Sequence, residues 1–423
     1  MLRVAMGRRT AATLAITLIG LVAPRTVEAA KVTRLGAGNW TYFSDPRAVS
    51  TETAVYTGWI SPAGRVTVAK FVPSTGRRQT VVVGRTGSDD HNNPALVLRP
   101  DGRLMVFFSP HSGRYEPKDQ VSRMYYRVAE RRNSISRWGP TRHLPVNAPG
   151  RLGYTYPNPV ALSRNRLWLS WRGGGWLPTY SIYTQGRWSA AREIVRGSPG
   201  HRPYAKYAGG RAGSDVVHIA FTEAHPELTA TNVRYLQYRL GVGFTGADGR
   251  RVGSLSALPM HVSRAEIVHR HSARTGRSWV MDVSDDGSGN PVIVYSVGFG
   301  RARQSFRYAR WTGQEWLDRP VAPAYSSVRR NATGAFQTGG IVLDPRDPAT
   351  VYLARVVGRR AQVEEWRTAD GGLTWTRVRV LSPAGHNCFR PTVPRGPARV
   401  LLFVCGRVSH WQHFATTINA VDR

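Results

Sequence analysis

Thr368-Ala369-Asp370-Gly371-Gly372-Leu373-Thr374-Trp375 is a tight polar turn closed by a tryptophan, and the same signal recurs at Ser136-Arg137-Trp138, Gly186-Arg187-Trp188 and Gly313-Gln314-Glu315-Trp316. A second recurrent signal is a polar turn leading into a strand: Arg99-Pro100-Asp101-Gly102-Arg103, Ser163-Arg164-Asn165-Arg166, Asp285-Asp286-Gly287-Ser288-Gly289-Asn290 and Asp344-Pro345-Arg346-Asp347-Pro348. The strands themselves are short, β-branched or aromatic, as in Leu104-Met105-Val106-Phe107-Phe108, Leu167-Trp168-Leu169-Ser170-Trp171 and Val400-Leu401-Leu402-Phe403-Val404, and no stretch of twelve or more residues carries a helical period. Self-similarity at about 40 to 60 residues in an all-β chain predicts a β-propeller of four-stranded antiparallel blades around one axis. Residues 30–423 number 423 − 29 = 394, about 56 for each of seven blades. Seven is the expectation, although six blades with long loops would fit the same length.

The chain carries 59 Lys+Arg against 26 Asp+Glu, a formal net charge of +33. Only four of the basic residues are lysines (31, 70, 118 and 206), which leaves 55 arginines scattered singly or in pairs rather than grouped in a tail. With 41% hydrophobic residues the chain can bury a core, so it is no disordered basic arm. A summed field of this sign concentrates an anionic partner. The absence of basic runs weakens a nucleic-acid reading, but charge alone does not choose between DNA and an acidic polysaccharide, so the chemistry has to come from motifs.

Arg3, Arg8 and Arg9 precede an apolar run from Ala11 to Ala23, and Val27-Glu28-Ala29 offers small residues for cleavage. Residues 1–29 therefore predict a signal peptide, with Arg8-Arg9 a twin-arginine variant of it, followed by a lead-in over 30–50 and a single propeller domain over 51–423. The run is too short for a membrane span. The expectation is a secreted or periplasmic protein, monomeric, with about +30 left on the mature chain. In that compartment Cys388 and Cys405 could form one bridge or stay as buried thiols.

Polar residues cluster beside strand ends in three segments: Ser88-Asp89-Asp90-His91-Asn92-Asn93-Pro94, Gly153-Tyr154-Thr155-Tyr156-Pro157-Asn158-Pro159, and His201-Arg202-Pro203-Tyr204-Ala205-Lys206-Tyr207. The strand after each ends in a further polar group: Ser109-Pro110-His111, Trp171-Arg172-Gly173, and Thr222-Glu223-Ala224-His225. In a propeller such equivalent segments converge on one mouth of the central channel.

Taken in order and spacing, these segments resemble the propellers related to bacterial neuraminidase repeats that include the ulvan lyases. Asp282 with Asp286-Gly287 and Gly339-Gly340-Ile341-Val342-Leu343-Asp344-Pro345 add to the match, which spans roughly residues 50 to 415. Thr368 to Trp375 looks like an Asp-box, the hairpin turn of such repeats, so Asp370 is expected to be a structural device. The resemblance implies a polysaccharide lyase that cleaves a uronate polymer, ulvan-like and with or without sulfate, by β-elimination. It makes His91 and Tyr156 the base and acid, and Arg172 the group that neutralises the uronate carboxylate.

The residue chemistry agrees. A neutral imidazole can take a proton near neutral pH. Tyr, with a reference pKa of about 10, can donate one, and a guanidinium matches a carboxylate bidentately. Which of His91 and Tyr156 is the base depends on the sugar and stays open at this point. Asn92, Asn93, His111, Arg202, Tyr204, Lys206, Tyr207 and His225 are the expected substrate-binding residues. No cofactor is required, and no metal is assigned to the catalytic site. A structural divalent cation, zinc or calcium, has one candidate set in His261, His269 and His271, the last two on one face of a strand. A sialidase-like hydrolase and a carbohydrate-binding propeller without catalysis are the competing readings.

Overall fold

The computed structural model describes residue 1 and residues 31–111, 123–145, 154–211, 213–301, 303–324, 329–330 and 336–423. The expected leader falls outside the described residues apart from Met1. Residues 31–423 form one unit built of seven antiparallel sheets arranged as a ring, a seven-bladed β-propeller. No α-helix occurs among the described residues, only five single-turn 3₁₀ segments, and none is long and apolar enough to cross a membrane.

Each blade begins with a short innermost strand that starts at one end of the axis and runs to the other. In blade 1 the strands are Ala48–Ser50, Val55–Ile60, Arg65–Val72 and Arg77–Arg85; in blade 2, Ala95–Leu98, Leu104–Phe108, Tyr125–Val128 and Arg142–His143. Blade 3 opens with Thr155–Ala161 and Leu167–Arg172, blade 4 with Tyr204–Gly209 and Val216–Thr222, blade 5 with Ser278–Asp285 and Pro291–Val297, and blade 6 with Ile341–Asp344 and Asp347–Val357. Blade 7 consists of Cys388–Thr392, Val400–His410 and His413–Asp422, and its fourth strand is Val32–Ala37 from the other end of the chain. Within the stretch expected to be a lead-in, Val32–Ala37 and Ala48–Ser50 are thus strands of the ring. A parallel bridge between Val49 and Arg395 joins blades 1 and 7, with Arg395 N donating to Ala48 O at 3.0 Å and Ser50 N to Arg395 O at 2.9 Å.

The inner strands are almost continuously apolar because both faces of each are covered by neighbouring blades, and every residue of Ser278–Asp285 and Pro291–Val297 is buried. Three of the four turn-closing tryptophans explain their own recurrence by docking on the blade before them. Trp188 packs on Phe107 and Tyr126, Trp316 on Tyr235, and Trp375 on Tyr308, with ring centroids 5.0–6.1 Å apart. In the Asp370 turn, Oδ1 accepts from Thr374 N at 2.9 Å and Oδ2 from the Thr374 hydroxyl at 2.5 Å, while Gly371 and Gly372 take φ of +70° and +95° that only glycine adopts freely. These hydrogen bonds hold the exposed Asp370 carboxyl at about 2; it is a turn-former. The two cysteines face each other across the first two strands of blade 7 and are bridged.

Candidate active site

The mouth of the channel lies at the end where inner strands begin and second strands finish. Tyr156 and Arg390 occupy matching places there, second or third in their inner strands, each followed by proline. Both adopt left-handed φ, +58° and +52°, and at both the pairing with the next strand slips, between Thr155 and Asn158 and between Phe389 and Thr392. An extra residue in a strand turns its side chain out of the pleat, and holding a non-glycine residue at positive φ costs roughly 1–3 kcal/mol, strain that collects at working sites. Asn158 steadies the first bulge by donating to Tyr156 O and Phe43 O, both at 2.8 Å. The two bulges aim Tyr156 and Arg390 into a cavity of about 200 Å³, which His91, His111, Tyr204, His225, Trp279 and Trp411 help to line.

His91 sits in a 3₁₀ turn, Asp90–Asn92, whose N-cap Asp89 accepts from His91 N at 3.0 Å. Its Nδ1 lies 2.6 Å from Asp89 Oδ1 and 3.1 Å from Asp90 Oδ1. The ring stacks on His111 with centroids 4.2 Å apart and planes 5° from parallel, and His111 Nδ1 lies 3.2 Å from the other oxygen of Asp89. Burial opposes a charge on His91, but Asp89 and Asp90 outweigh it and raise the imidazole to about 10. His111 goes the opposite way, to about 4, through burial and the charge on His91. Two stacked imidazoles on one carboxylate thus carry a single positive charge between them. With Nδ1–H of His111 directed at Asp89, its Nε2 carries a lone pair. A neutral His91 is therefore corrected: at neutral pH His91 is the cation of the pair and His111 the neutral partner.

From His91 an arc of rings continues around the mouth, to Tyr156 at 5.8 Å, Tyr204 at 6.1 Å and His225 at 5.2 Å. Arg172 lies behind it, its guanidinium carbon 5.4 Å from the Tyr156 ring centre and 4.2 Å from that of Tyr204, with Nε donating to Trp176 O at 3.1 Å. Burial pushes the Tyr156 phenol well above its ordinary value and the Arg172 charge only partly offsets this. Tyr156 is a proton carrier at neutral pH. His225 is pushed down to about 4 by burial, then by Arg172.

The other expected binding residues divide. Asn92 and Asn93 are buried supports: Asn92 accepts from His111 N at 2.6 Å and Asn93 from Thr41 N at 3.0 Å. Arg202 leans over Trp176 at 4.2 Å on the rim. Lys206 and Tyr207 are corrected, since neither lines the cavity. Lys206 is fully buried on the channel axis, paired with Asp45 and donating to Tyr42 O at 2.5 Å, and Tyr207 belongs to the core between blades 3 and 4. In a strand alternate side chains share a face, so Tyr207 points away from the side of Tyr204, while Lys206 shares that side but lies two residues deeper along the strand.

The three candidate zinc ligands are not brought together: His261 Nδ1 bonds Ser263, His269 Nδ1 bonds Asp318 and His271 Nδ1 bonds Asn232. Among the described residues Asp89, His91 and His111 offer ligand atoms within 4.8 Å of one another, and the Nδ1 atoms of both histidines there lie against the Asp89 carboxylate.

Several site residues escaped the sequence reading. Arg390, 2.7 Å from Asp90 and buried with it, was signalled by its proline, which mirrors Tyr156-Pro157. Phe43 packs under Tyr156, Tyr204 and Trp279 at 5.3, 5.0 and 5.7 Å from a segment with no local motif. Trp411, edge-on to His91 at 6.0 Å, comes from a hairpin tip whose carbonyl accepts from Asp90 N at 2.8 Å.

Residues 54–324 match the profile of a family described as BNR repeat-containing family members. Among solved structures, a PL25 ulvan lyase bound to -[GlcA(1-4)Rha3S]- is 16% identical with a TM-score of 0.71, covering 91% of this chain and 94% of that one. The polysaccharide lyase Uly1 is 12% identical with a TM-score of 0.58, covering 94% and 100%. These likenesses show the fold. No curated protein matches the chain.

Proposed function

We propose that this chain, which belongs to the BNR repeat-containing family, is an exported polysaccharide lyase that cleaves a uronate polymer by β-elimination. The observation that carries the reading is the stacked His91–His111 pair on Asp89, one imidazole charged and one neutral, beside the Tyr156 phenol with Arg172 behind it. The likeness to an ulvan lyase supports the same substrate class.

Elimination needs a neutralised carboxylate, a base for the C5 proton and an acid for the C4 oxygen. The cations of Arg172 and His91 draw the uronate carboxylate to the centre of the arc and acidify C5–H. The neutral member of the imidazole pair takes that proton. The C5–H electrons become the C4–C5 double bond, the C4–O4 bond breaks, and the Tyr156 hydroxyl protonates the departing oxygen. A positioned proton donor contributes typically about 10²–10⁴-fold, so Tyr156→Phe is expected to slow turnover at least about 100-fold with the protein still folded.

The direct test is incubation with a panel of acidic polysaccharides while following the ultraviolet absorbance of the unsaturated uronate. A rise with a uronate polymer is expected. Binding without a rise makes the protein a lectin, and release of sialic acid makes it a hydrolase; either overturns the proposal. The pH dependence is a second check. In the free enzyme His111 must be neutral, which is lost as pH falls through about 4, and His91 must be charged, which is lost as pH rises through about 10. The expected kcat/KM profile is a plateau between those limits, and a single rise through the ordinary histidine value of about 6.5 would contradict it.

A further inference from the structure

A second cavity, of about 390 Å³, opens at the end of the propeller away from the mouth. Inner strands start at the mouth, so the turns from inner to second strands lie at the far end, and this cavity is lined by those turns in blades 6 and 7: Asp344, Arg346 and Asp347 from one, Arg399 from the other. Arg367, Arg423, Thr350 and Tyr352 complete the wall. Four guanidinium groups thus meet two carboxylates, and because Arg367 is held by Glu365 at 2.8 Å, the excess left at the cavity is one positive charge.

The carboxylates are spent inside the wall. Asp344 pairs with Arg423, whose side chain is only 3% exposed, and accepts from Arg346 N at 3.1 Å. Asp347 accepts from Ala349 N at 3.2 Å and the Thr350 hydroxyl at 2.7 Å. Arg423 is saturated by Val400 O and Ala398 O as well. What remains for a ligand is Arg399, whose guanidinium has no partner among the described residues, and Arg346, which uses one nitrogen on Pro397 O. Like charges gathered round one cavity repel unless an anion sits between them, and a guanidinium fork suits the paired oxygens of sulfate or carboxylate.

We propose that this cavity is a second, non-catalytic binding site for the sulfate or carboxylate groups of an acidic polysaccharide. It shares its substrate class with the function proposed above, but it is read by binding alone, so it can fail or stand without any turnover. A polymer held at both ends of the axis gains from effective concentration rather than from new contacts.

The experiment compares retention on immobilised dextran sulfate and on immobilised polygalacturonate for the intact protein, for Arg346→Ala with Arg399→Ala, and for Arg399→Glu alone. The last removes no hydrogen bond of the fold. A control with Arg77→Ala and Arg78→Ala, exposed on the outer strand of blade 1, removes the same charge elsewhere. Loss of about tenfold or more in affinity for either polymer in both cavity variants, with less than about twofold in the control, is the expected result, and the polymer affected identifies the anion. Equal weakening by the control reduces the effect to a diffuse field, and unchanged retention removes the site; either result overturns the proposal.

Discussion

His91→Ala removes the elimination signal by about 10³-fold or more while leaving the far-UV spectrum of the propeller intact. The magnitude follows from how much the residue does at once. It supplies a cation beside the bound carboxylate, and it fixes the protonation of its neighbour: with its charge gone, one of the causes that lower His111 is lost while Asp89 still raises it, and Asp89 faces the cavity without the imidazolium that now lies against it. Asp90 would keep Arg390 at 2.7 Å, but Asp89 would be left as an uncompensated carboxylate at the mouth that repels the uronate. His91→Gln keeps a neutral hydrogen-bonding side chain and is expected to fail almost as badly, because the charge is the missing part. The readouts are kcat/KM on a uronate polymer and its pH profile. Activity within about tenfold of the parent protein would remove His91 from the mechanism.

Asp45→Asn costs stability instead, about 4 kcal/mol, with no change in KM for the protein that remains folded. Asp45 lies on the channel axis between two buried cations, accepting from Arg47 Nε at 3.0 Å and pairing with Lys206; Arg47 is 1% exposed and Lys206 wholly buried. Removing one partner from a buried pair strands the other, typically at about 3–5 kcal/mol. The sign with pH is specific. Burial already pulls Lys206 down to about 8, with Asp282 acting the other way, and loss of Asp45 takes away a further reason for it to stay charged. Above about pH 8 the folded protein can shed that proton, so the deficit shrinks as the solution is made alkaline. Urea unfolding at pH 7 and pH 9 tests both statements. A deficit under about 1 kcal/mol at pH 7 would mean the axis cluster contributes little, and a changed KM would return Lys206 to the substrate.

The ring was legible because its signals are local and repeated: a polar turn, a short apolar strand, a tryptophan that docks on the preceding blade. The strand Val32–Ala37 was not, since its partner lies almost 400 residues away and its own six residues carry no turn or period. At the mouth, the residues fixed by strand ends came through: His91, Tyr156, Tyr204 and His225 line the cavity, and Arg172 backs it. Depth along a strand was the weak point. Lys206 stands two residues beyond Tyr204 and on the same face of the strand, yet it sits deeper along the axis, where Asp45 and Tyr42 O take its ammonium before it can reach the cavity. Proton affinity was the other gap. A histidine after two aspartates reads as a base until the distances show both carboxylates on the same nitrogen.

The pairing of Val32–Ala37 with His413–Asp422 also sets an order of events during synthesis. The first of the described strands belongs to the last blade, so it has no partner until the final strands have been made. Until then the nascent chain is an open arc with unpaired strand edges at both ends, the kind of edge that recruits other chains.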